Sequence, residues 1–413
     1  MTDINSHPTL WIKEQTSRLL SGKTIVIGVT GSIAAVRVVE LARELIRNGA
    51  DVYAVTTPAA ERIIHPDALC YATGNDVITE LTGKIEHVEF CGLKGRANLL
   101  LIVPATANTI GKIAQGIDDT PVTTFATTAI GSNIPVIVVP AMHEAMYNHP
   151  AVTANIEKLK EWGIKIIDPR LEEGIAKLAT NEMIVLSAER TLGNRNFAGK
   201  RIIVTSGANA ESIDPIRIMT NRSSGKTGVE IAFEAYRRGA DVTIVHRNRL
   251  GIPGIKEIFV ESANDMTDAV LAELENGYDA LISAAAISDY TIDAASSKIK
   301  SGEELVLKFK PTRKLIKEAR EKHPELVITG FKAETGVTPD ELRKRAWNTL
   351  NESKLDMIVA NEVGKGGIGS DDNEVYIIGR EVLKPSHVSG KKHFIASALL
   401  DELYGIFEAK GEP

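Results

Sequence analysis

The sequence of 413 residues has only two cysteines, Cys70 and Cys91, and their spacing matches no metal-binding pattern. This argues against a disulfide framework or a zinc site and makes a reducing cytoplasm the expected compartment. No run of apolar residues reaches membrane-spanning length. The first 23 residues carry Asp3, Lys13, Glu14 and Arg18 and lack the apolar core of a signal peptide, so no membrane partner is expected. Neither sign of charge dominates. With 48 basic and 54 acidic residues the formal charge is -6, which speaks against a general binder of nucleic acid or other polyanions. Internal repeats and low-complexity tracts are also missing. What remains is the composition of an ordinary soluble globular chain, 43% hydrophobic and 25% charged, long enough for two or three domains.

Strand-like and helix-like patterns alternate along the whole chain. Residues 10–20 read as a short amphipathic helix. A strand at 24–29 then meets Thr30-Gly31-Ser32, followed by a helix to Asn48 that stops at Gly49. Continuous apolar runs at 51–56, 99–103 and 134–139 are of the kind buried on both faces in parallel sheets, and residues 105–115, 151–162 and 180–192 have helical spacing. The pattern breaks at Gly193-Asn-Arg-Asn-Phe-Ala-Gly199 and restarts at Arg201. It therefore predicts two doubly wound α/β domains, residues 1–195 and 196–413, with ligands beyond the carboxyl ends of the strands. In the second domain the expected strands are 201–205, 241–246, 279–284, 304–309, 326–330, 356–360 and 374–378. The expected helices are 225–238, 265–276, 311–322, 339–353 and 391–407, and the Gly-rich stretch 365–373 reads as a mobile loop.

Ser223-Ser-Gly-Lys-Thr227 invites comparison with a phosphate-binding P-loop, but position 220, where the first glycine would fall, is Thr220. The nearest strand also ends about fifteen residues too early. The stretch reads instead as a polar loop bearing Asn221 and Arg222, with Ser223 and Ser224 as candidate caps of a helix whose free N–H groups suit phosphate. In the first domain Gly31-Ser32 also sits at a strand-to-helix turn, without the glycine fingerprint of a dinucleotide site. Two more loops leave strand ends at the same rim: Pro104-Ala-Thr-Ala-Asn-Thr109, and Pro140-Ala-Met-His-Glu-Ala-Met-Tyr147.

These loops resemble the motifs Pro-Ala-Ser-Ala-Asn-Thr and Pro-x-Met-Asn-x-x-Met-Trp of the homo-oligomeric flavin-containing cysteine decarboxylases. The resemblance implies FMN, with Gly31, Ser32, Thr56, Thr106 and Asn108 on its phosphate and ribityl side and Met142 near its ring. His87, in His87-Val88-Glu89, takes the place of the family's flavin-side histidine and is the candidate base, since imidazole titrates near neutrality. The implied chemistry oxidises the substrate's cysteine thiol to a thioaldehyde, loses CO2 and returns a hydride. Two departures stand out. His143 replaces the asparagine that holds the substrate carboxylate, with Tyr147 as the final aromatic, and residues 172–177 contain no cysteine where bacterial members carry a proton-donating flap cysteine. Cys70 and Cys91 read as structural.

In the second half, Val204-Thr-Ser-Gly-Ala208, Ile213-Asp-Pro-Ile-Arg217 and Thr220-Asn-Arg-Ser-Ser-Gly-Lys226 resemble the phosphopantothenate–cysteine ligases. Residues 284–290, Lys298-Ile-Lys300, Gly330-Phe-Lys-Ala-Glu-Thr335 and Ala360-Asn-Glu362 follow in that family's order. By resemblance Asn221 and Arg217 engage the substrate or its acyl-nucleotide, and Lys298 neutralises charge at the α-phosphate. Ser283, Ala284, Ala285, Asp289 and Phe331 hold the nucleotide. The family's Lys-Asn-Pro-Asp loop is here Lys310-Pro-Thr-Arg313, and Lys344 and Lys354 are further phosphate-ligand candidates. The two resemblances together imply a cytoplasmic homo-oligomer, of trimer or dodecamer type with ligase-domain dimers. It joins 4'-phosphopantothenate to L-cysteine with CTP and Mg2+, through ligands the sequence does not identify, and decarboxylates the 4'-phosphopantothenoylcysteine formed. Two rivals are an active ligase on an inactive flavin-binding scaffold and a nucleotide-sensing regulator.

Overall fold

The structure is a computed structural model that describes residues 7–172, 175–251, 254–300, 302, 304–364, 369–380 and 385–411. Parts of two stretches singled out above, residues 173–174 and 365–368, lie outside the described residues. The chain forms two compact units, Met1–Gly193 and Asn194–Pro413.

The first unit is built on five parallel strands, β1 (Thr24–Val29), β2 (Asp51–Thr56), β3 (Leu99–Ala105), β4 (Val136–Pro140) and β5 (Lys165–Ile166), in the order β2-β1-β3-β4-β5. Alternation sorts the apolar runs onto two cores: Ile25, Ile27, Leu99 and Leu101 face one, Val26, Leu100 and Ile102 the other. Both faces are thus covered, as an all-parallel sheet demands. Helix α1 (Val38–Arg47) buries Val38, Leu41, Ala42, Leu45 and Ile46, one stripe at helical spacing. The strand order is the flavodoxin-like one, whose ligand crevice lies where β1 and β3 part.

Three expectations for this unit change. Residues 10–20 form a short 3-10 turn, Pro8–Ile12, and then turns, because Trp11 and Leu19 point to solvent while only Leu20 is fully buried. The helix expected after Ser32 opens as a 3-10 segment, Ile33–Arg37, before α1 begins. A further helix, Pro121–Gly131, is made of Val-Thr-Thr-Phe-Ala-Thr-Thr, whose β-branched residues mask it. It is started by Pro121 and by a reciprocal cap between Thr120 and Thr123.

The main sheet of the second unit has, among the described residues, eight strands: β6 (Arg201–Thr205), β7 (Asp241–His246), β8 (Ile255–Phe259), β9 (Ala280–Ser283), β10 (Val327–Glu334), β11 (Met357–Glu362), β12 (Asp372–Gly379) and β13 (Ser386–Lys391). Their order is β8-β7-β6-β9-β10-β11-β12-β13. The run β8 to β11 is parallel, and β12 and β13 add antiparallel at the edge. The order reverses between β6 and β9, the crevice position of a Rossmann sheet. Residues 304–309 form no strand: Leu305, Val306 and Phe309 are exposed, so the run lays no apolar face on a core. β8 and β13, which sequence patterning did not mark, occupy the two edges instead.

Candidate functional site

In the first unit two of the three rim loops are joined through Thr30, and the third is tied to the second by the Ala141 N–H donating to the Ala105 carbonyl at 3.1 Å. The buried Thr30 hydroxyl donates to the Pro104 carbonyl at 2.7 Å and accepts from the Thr106 N–H at 3.1 Å, tying the loop after β1 to the loop after β3. Gly31 is a close-approach glycine: a Cβ there would lie 2.6 Å from that of Ala59. Ser32 caps the 3-10 turn through the Ala34 N–H, and Thr106 caps helix α2 (Ala107–Gln115) through the Thr109 N–H. Asn108 is exposed in the first turn of α2, where open N–H groups suit an anion. Thr56 is fully buried and donates to Glu61 at 2.8 Å, so its hydroxyl supports the rim from within.

His87 lies in a six-residue helix, Glu86–Cys91, and its Nδ1 is buried without a hydrogen-bond partner. An orphaned ring nitrogen is a cost unless a ligand or water satisfies it. Met142 is half-buried against the β3–β4 core, and Met142–His143 pairs antiparallel with residues 175–176. His143 itself is exposed and precedes a short helix, Glu144–Tyr147, without capping it. The Tyr147 hydroxyl donates to Asp168 at 3.1 Å, and burial followed by the Asp168 charge pushes its pKa up, so the phenol stays neutral. Burial pushes the Cys91 thiol up to about 12, which disqualifies it as a thiolate reagent near neutrality. A close-approach glycine, two capped helix starts and an orphaned imidazole fit a flat, phosphate-bearing cofactor.

In the second unit a cleft of about 1,100 Å³ runs from the carboxyl end of β9 along the helix that follows to the amino ends of β10 and β11, where Pro324, Lys354 and Asp356 line it. Asn221, Ser283, Ala285, Asp289 and Phe331 all line it. The β6–β9 seam is stitched by the Ala286 N–H donating to Gly207 at 2.9 Å, the Ala285 N–H to Thr205 Oγ1 at 3.2 Å, and Asn221 Nδ2 to the Ala286 carbonyl at 2.9 Å. Lys314 also faces the cleft and donates to Asp289 at 2.6 Å; both side chains are well exposed, so the pair is weak and exchangeable. Helix α4 (Leu315–Lys322) starts there with no side-chain cap, four residues later than its sequence pattern suggests, because Lys310–Pro311 is taken up in a two-strand pairing with Tyr290–Thr291. Lys354, a non-glycine residue at φ +50°, presents an ammonium with no partner among the described residues to the same cleft. Lys344 does not line it.

Residues 197–406 match the family described as DNA/pantothenate metabolism flavoprotein C-terminal domain, and residues 13–193 match the flavoprotein family. The coenzyme A biosynthesis bifunctional protein CoaBC of Thermococcus kodakarensis is 49% identical over 392 residues, covering 94% of this chain and 96% of that one. The chain belongs to the CoaBC family. It is accordingly a bifunctional decarboxylase and ligase of coenzyme A biosynthesis. The CoaBC proteins of Methanocaldococcus jannaschii, 42% identical over 401 residues (96% of this chain, 97% of the relative), and of Bacillus subtilis, 33% over 419 (95% and 100%), extend the likeness over full length.

Within this CoaBC chain the residues expected in the ligase divide into two groups. Arg217 and Lys298 do not line the cleft, and neither does Ala284. Arg217 is held elsewhere, by Asp214 at 2.7 Å and the Ile299 carbonyl at 3.2 Å, while Lys298 is exposed with no partner among the described residues. Asp214 ties these segments together by accepting from the N–H groups of Ile216, Arg217 and Ile299 as well. Burial alone would raise the Asp214 carboxyl, but those three donors and Arg217 outweigh it and hold it below its usual range. A depressed acid contributes stability above its unfolded pKa and loses it as pH falls through the folded value. Acidification into that window is therefore expected to loosen the 214–217 and 298–300 segments, seen as faster amide exchange there. Asp214→Asn should remove this acid response; an equal response in both proteins would count against it.

The helix expected to start behind Ser223 or Ser224 is α3 (Lys226–Arg237), capped by neither; Gly225 takes the position at φ +78°. A Cβ there would meet Gly207 Cα at 2.8 Å. Gly225→Ala is expected to cost about 1–3 kcal/mol from the left-handed backbone and crowding together. Thermal melting would show it as roughly 2–4 °C per kcal/mol lost.

Proposed function

We propose that the second unit joins 4'-phosphopantothenate to L-cysteine through an acyl-cytidylate formed from CTP, and that the first unit binds FMN and decarboxylates the 4'-phosphopantothenoylcysteine formed. The observation that carries the ligase reading is Asn221 fixed at the β6–β9 seam, in one cleft with Asp289, Phe331, Lys314 and Lys354. A carboxylate is inert toward an amine at neutral pH and must first attack the α-phosphate of the nucleotide, forming an acyl-cytidylate as pyrophosphate leaves; the cysteine amine then displaces CMP. The Lys314 ammonium, in an exposed and exchangeable pair with Asp289, and an open helix start stabilise the charge that gathers on the phosphates. Among the described residues no group of three or more His, Cys, Asp or Glu could hold a metal. In this reading Mg2+ therefore arrives on the nucleotide, held by its phosphate oxygens and water. Asn221 orients the activated acyl group, and Asp289 exchanges Lys314 for the nucleotide.

In the first unit Gly31, Ser32, Thr106 and Asn108 would hold the FMN phosphate and ribityl chain, and Met142 would border the ring. Bound FMN would supply the two-electron oxidation that makes carboxyl loss feasible, together with the return of those electrons. His87 would take the thiol proton, and His143 would donate to the substrate carboxylate. The protein is placed in the cytoplasm as a homo-oligomer.

Two assays test this proposal. Sustained pyrophosphate release should require CTP, the phosphorylated acid and cysteine together, and no release with all three present would point to the regulator reading. Anaerobic CO2 release from 4'-phosphopantothenoylcysteine should accompany a yellow, flavin-loaded protein. Bound flavin with no turnover would leave an active ligase on an inactive scaffold.

A further inference from the structure

Glu211 is 3% exposed, does not line the ligase cleft and pairs with no cation among the described residues. A carboxylate taken out of water is costly unless donors meet its oxygens. Here they come from two separate segments: the Ala263 N–H donates to Oε1 at 2.8 Å, and the Thr291 hydroxyl donates to Oε2. Ala263 opens the helix Ala263–Leu274, whose positive end suits a negative charge. That helix has its own cap, Ser262 accepting from the Asp265 N–H, so capping alone does not account for Glu211.

What Glu211 joins are two arms of the cleft. Its strand, Ala210–Ser212, runs antiparallel to Ile218–Thr220 with Ala210 opposite Thr220, and the next residue is Asn221. The Thr220 hydroxyl donates to the Asn209 carbonyl at 2.7 Å, and Asn209 Nδ2 donates to the Ser262 carbonyl at 3.0 Å, which docks this hairpin on the same helix start. On the other arm Thr291 lies two residues beyond Asp289. Tyr290–Thr291 pairs with Lys310–Pro311, and the Asp289 carbonyl accepts from the Thr312 N–H at 3.0 Å, so residues 289–291 are held as one piece. The turn that bears Asp289 is thus pinned to the Asn221 hairpin on both sides, by Asn221 Nδ2 to the Ala286 carbonyl at 2.9 Å before it and by Glu211 to Thr291 after it.

We propose that Glu211 is a positioning residue of the ligase: through Thr291 it sets the distance between Asn221, on the acyl side of the cleft, and Asp289, on the nucleotide side. The inference rests on the ligation proposed above. In its first step a substrate carboxylate oxygen bonds to the α-phosphorus while the bond from that phosphorus to the pyrophosphate oxygen breaks, and pyrophosphate keeps the electron pair. Different arms hold the two reactants, so the rate depends on their separation; a misplacement of about 1 Å can cost on the order of 100-fold.

The test is steady-state ligation by the full-length protein carrying Thr291→Val. Valine keeps the β-branched shape that suits the strand pairing and deletes only the hydroxyl. Its kcat is expected to fall about ten- to hundredfold with the KM values for the acid, CTP and cysteine little changed, because each arm still binds its own reactant. Thr291→Ser, which keeps the hydroxyl, should retain the wild-type rate. So should Glu211→Gln, whose amide oxygen accepts from Ala263 and whose NH2 group donates to Thr291. Glu211→Leu strands the buried Ala263 N–H and is expected to melt lower, so it serves only in a double-mutant cycle: adding Thr291→Val to it should lower kcat no further. An unchanged kcat in Thr291→Val would overturn the proposal, as would a loss that Thr291→Ser shares or one that appears in the KM values instead. Failure of the ligation reading looks different, since wild-type protein would then release no pyrophosphate with all three substrates present.

Discussion

Asn221→Asp is expected to lower the ligation rate by about 100-fold or more while leaving flavin absorbance and decarboxylation unchanged. The substitution keeps size and shape but deletes the amide donor that reaches the Ala286 carbonyl across the β6–β9 seam. It replaces that donor with a carboxylate facing a carbonyl oxygen, so the side chain must turn away or draw a proton. It also sets a negative charge where an acid substrate and a nucleotide must approach. Removing one oriented donor of this kind typically costs on the order of 10²–10³ in rate. Coupled release of pyrophosphate measures the effect, and an unchanged rate would remove Asn221 from the reaction.

His87→Gln is expected to cut decarboxylation by roughly 10²–10⁴, the range of a lost general base. Ligation and flavin content should stay at wild-type levels. The glutamine retains a polar tip near the orphaned Nδ1 position, so the loss reports proton transfer and not the fold. A variant that retains the rate would make His87 a structural residue.

Legibility from sequence followed the physics of each segment. β1 to β4 could be read because Leu-Leu-Leu-Ile-Val and its neighbours are too apolar for any place but a sheet covered on both faces. Helix Pro121–Gly131 escaped because its threonines favour strands, and its capping by Thr120 and Pro121 outweighs them. Residues 304–309 misled in the opposite sense: alternation alone does not make a strand where its apolar side chains stay exposed. In the cleft, Asn221, Asp289 and Phe331 arrive together because the spaced motifs around them fix their turns. Lys314 was hidden, since its facing the cleft depends on where α4 starts, and of the two candidate lysines Lys344 and Lys354 only the second lines the cleft, which depends on a left-handed residue at the end of Pro339–Glu352.

The buried Thr30 hydroxyl, donating to Pro104 and accepting from Thr106, fixes two loops of the decarboxylase rim through protein groups alone. These two loops are therefore held before any cofactor arrives, and association need not freeze them. Stripped protein should keep its shape on storage and take up flavin again without passing through an unfolded form.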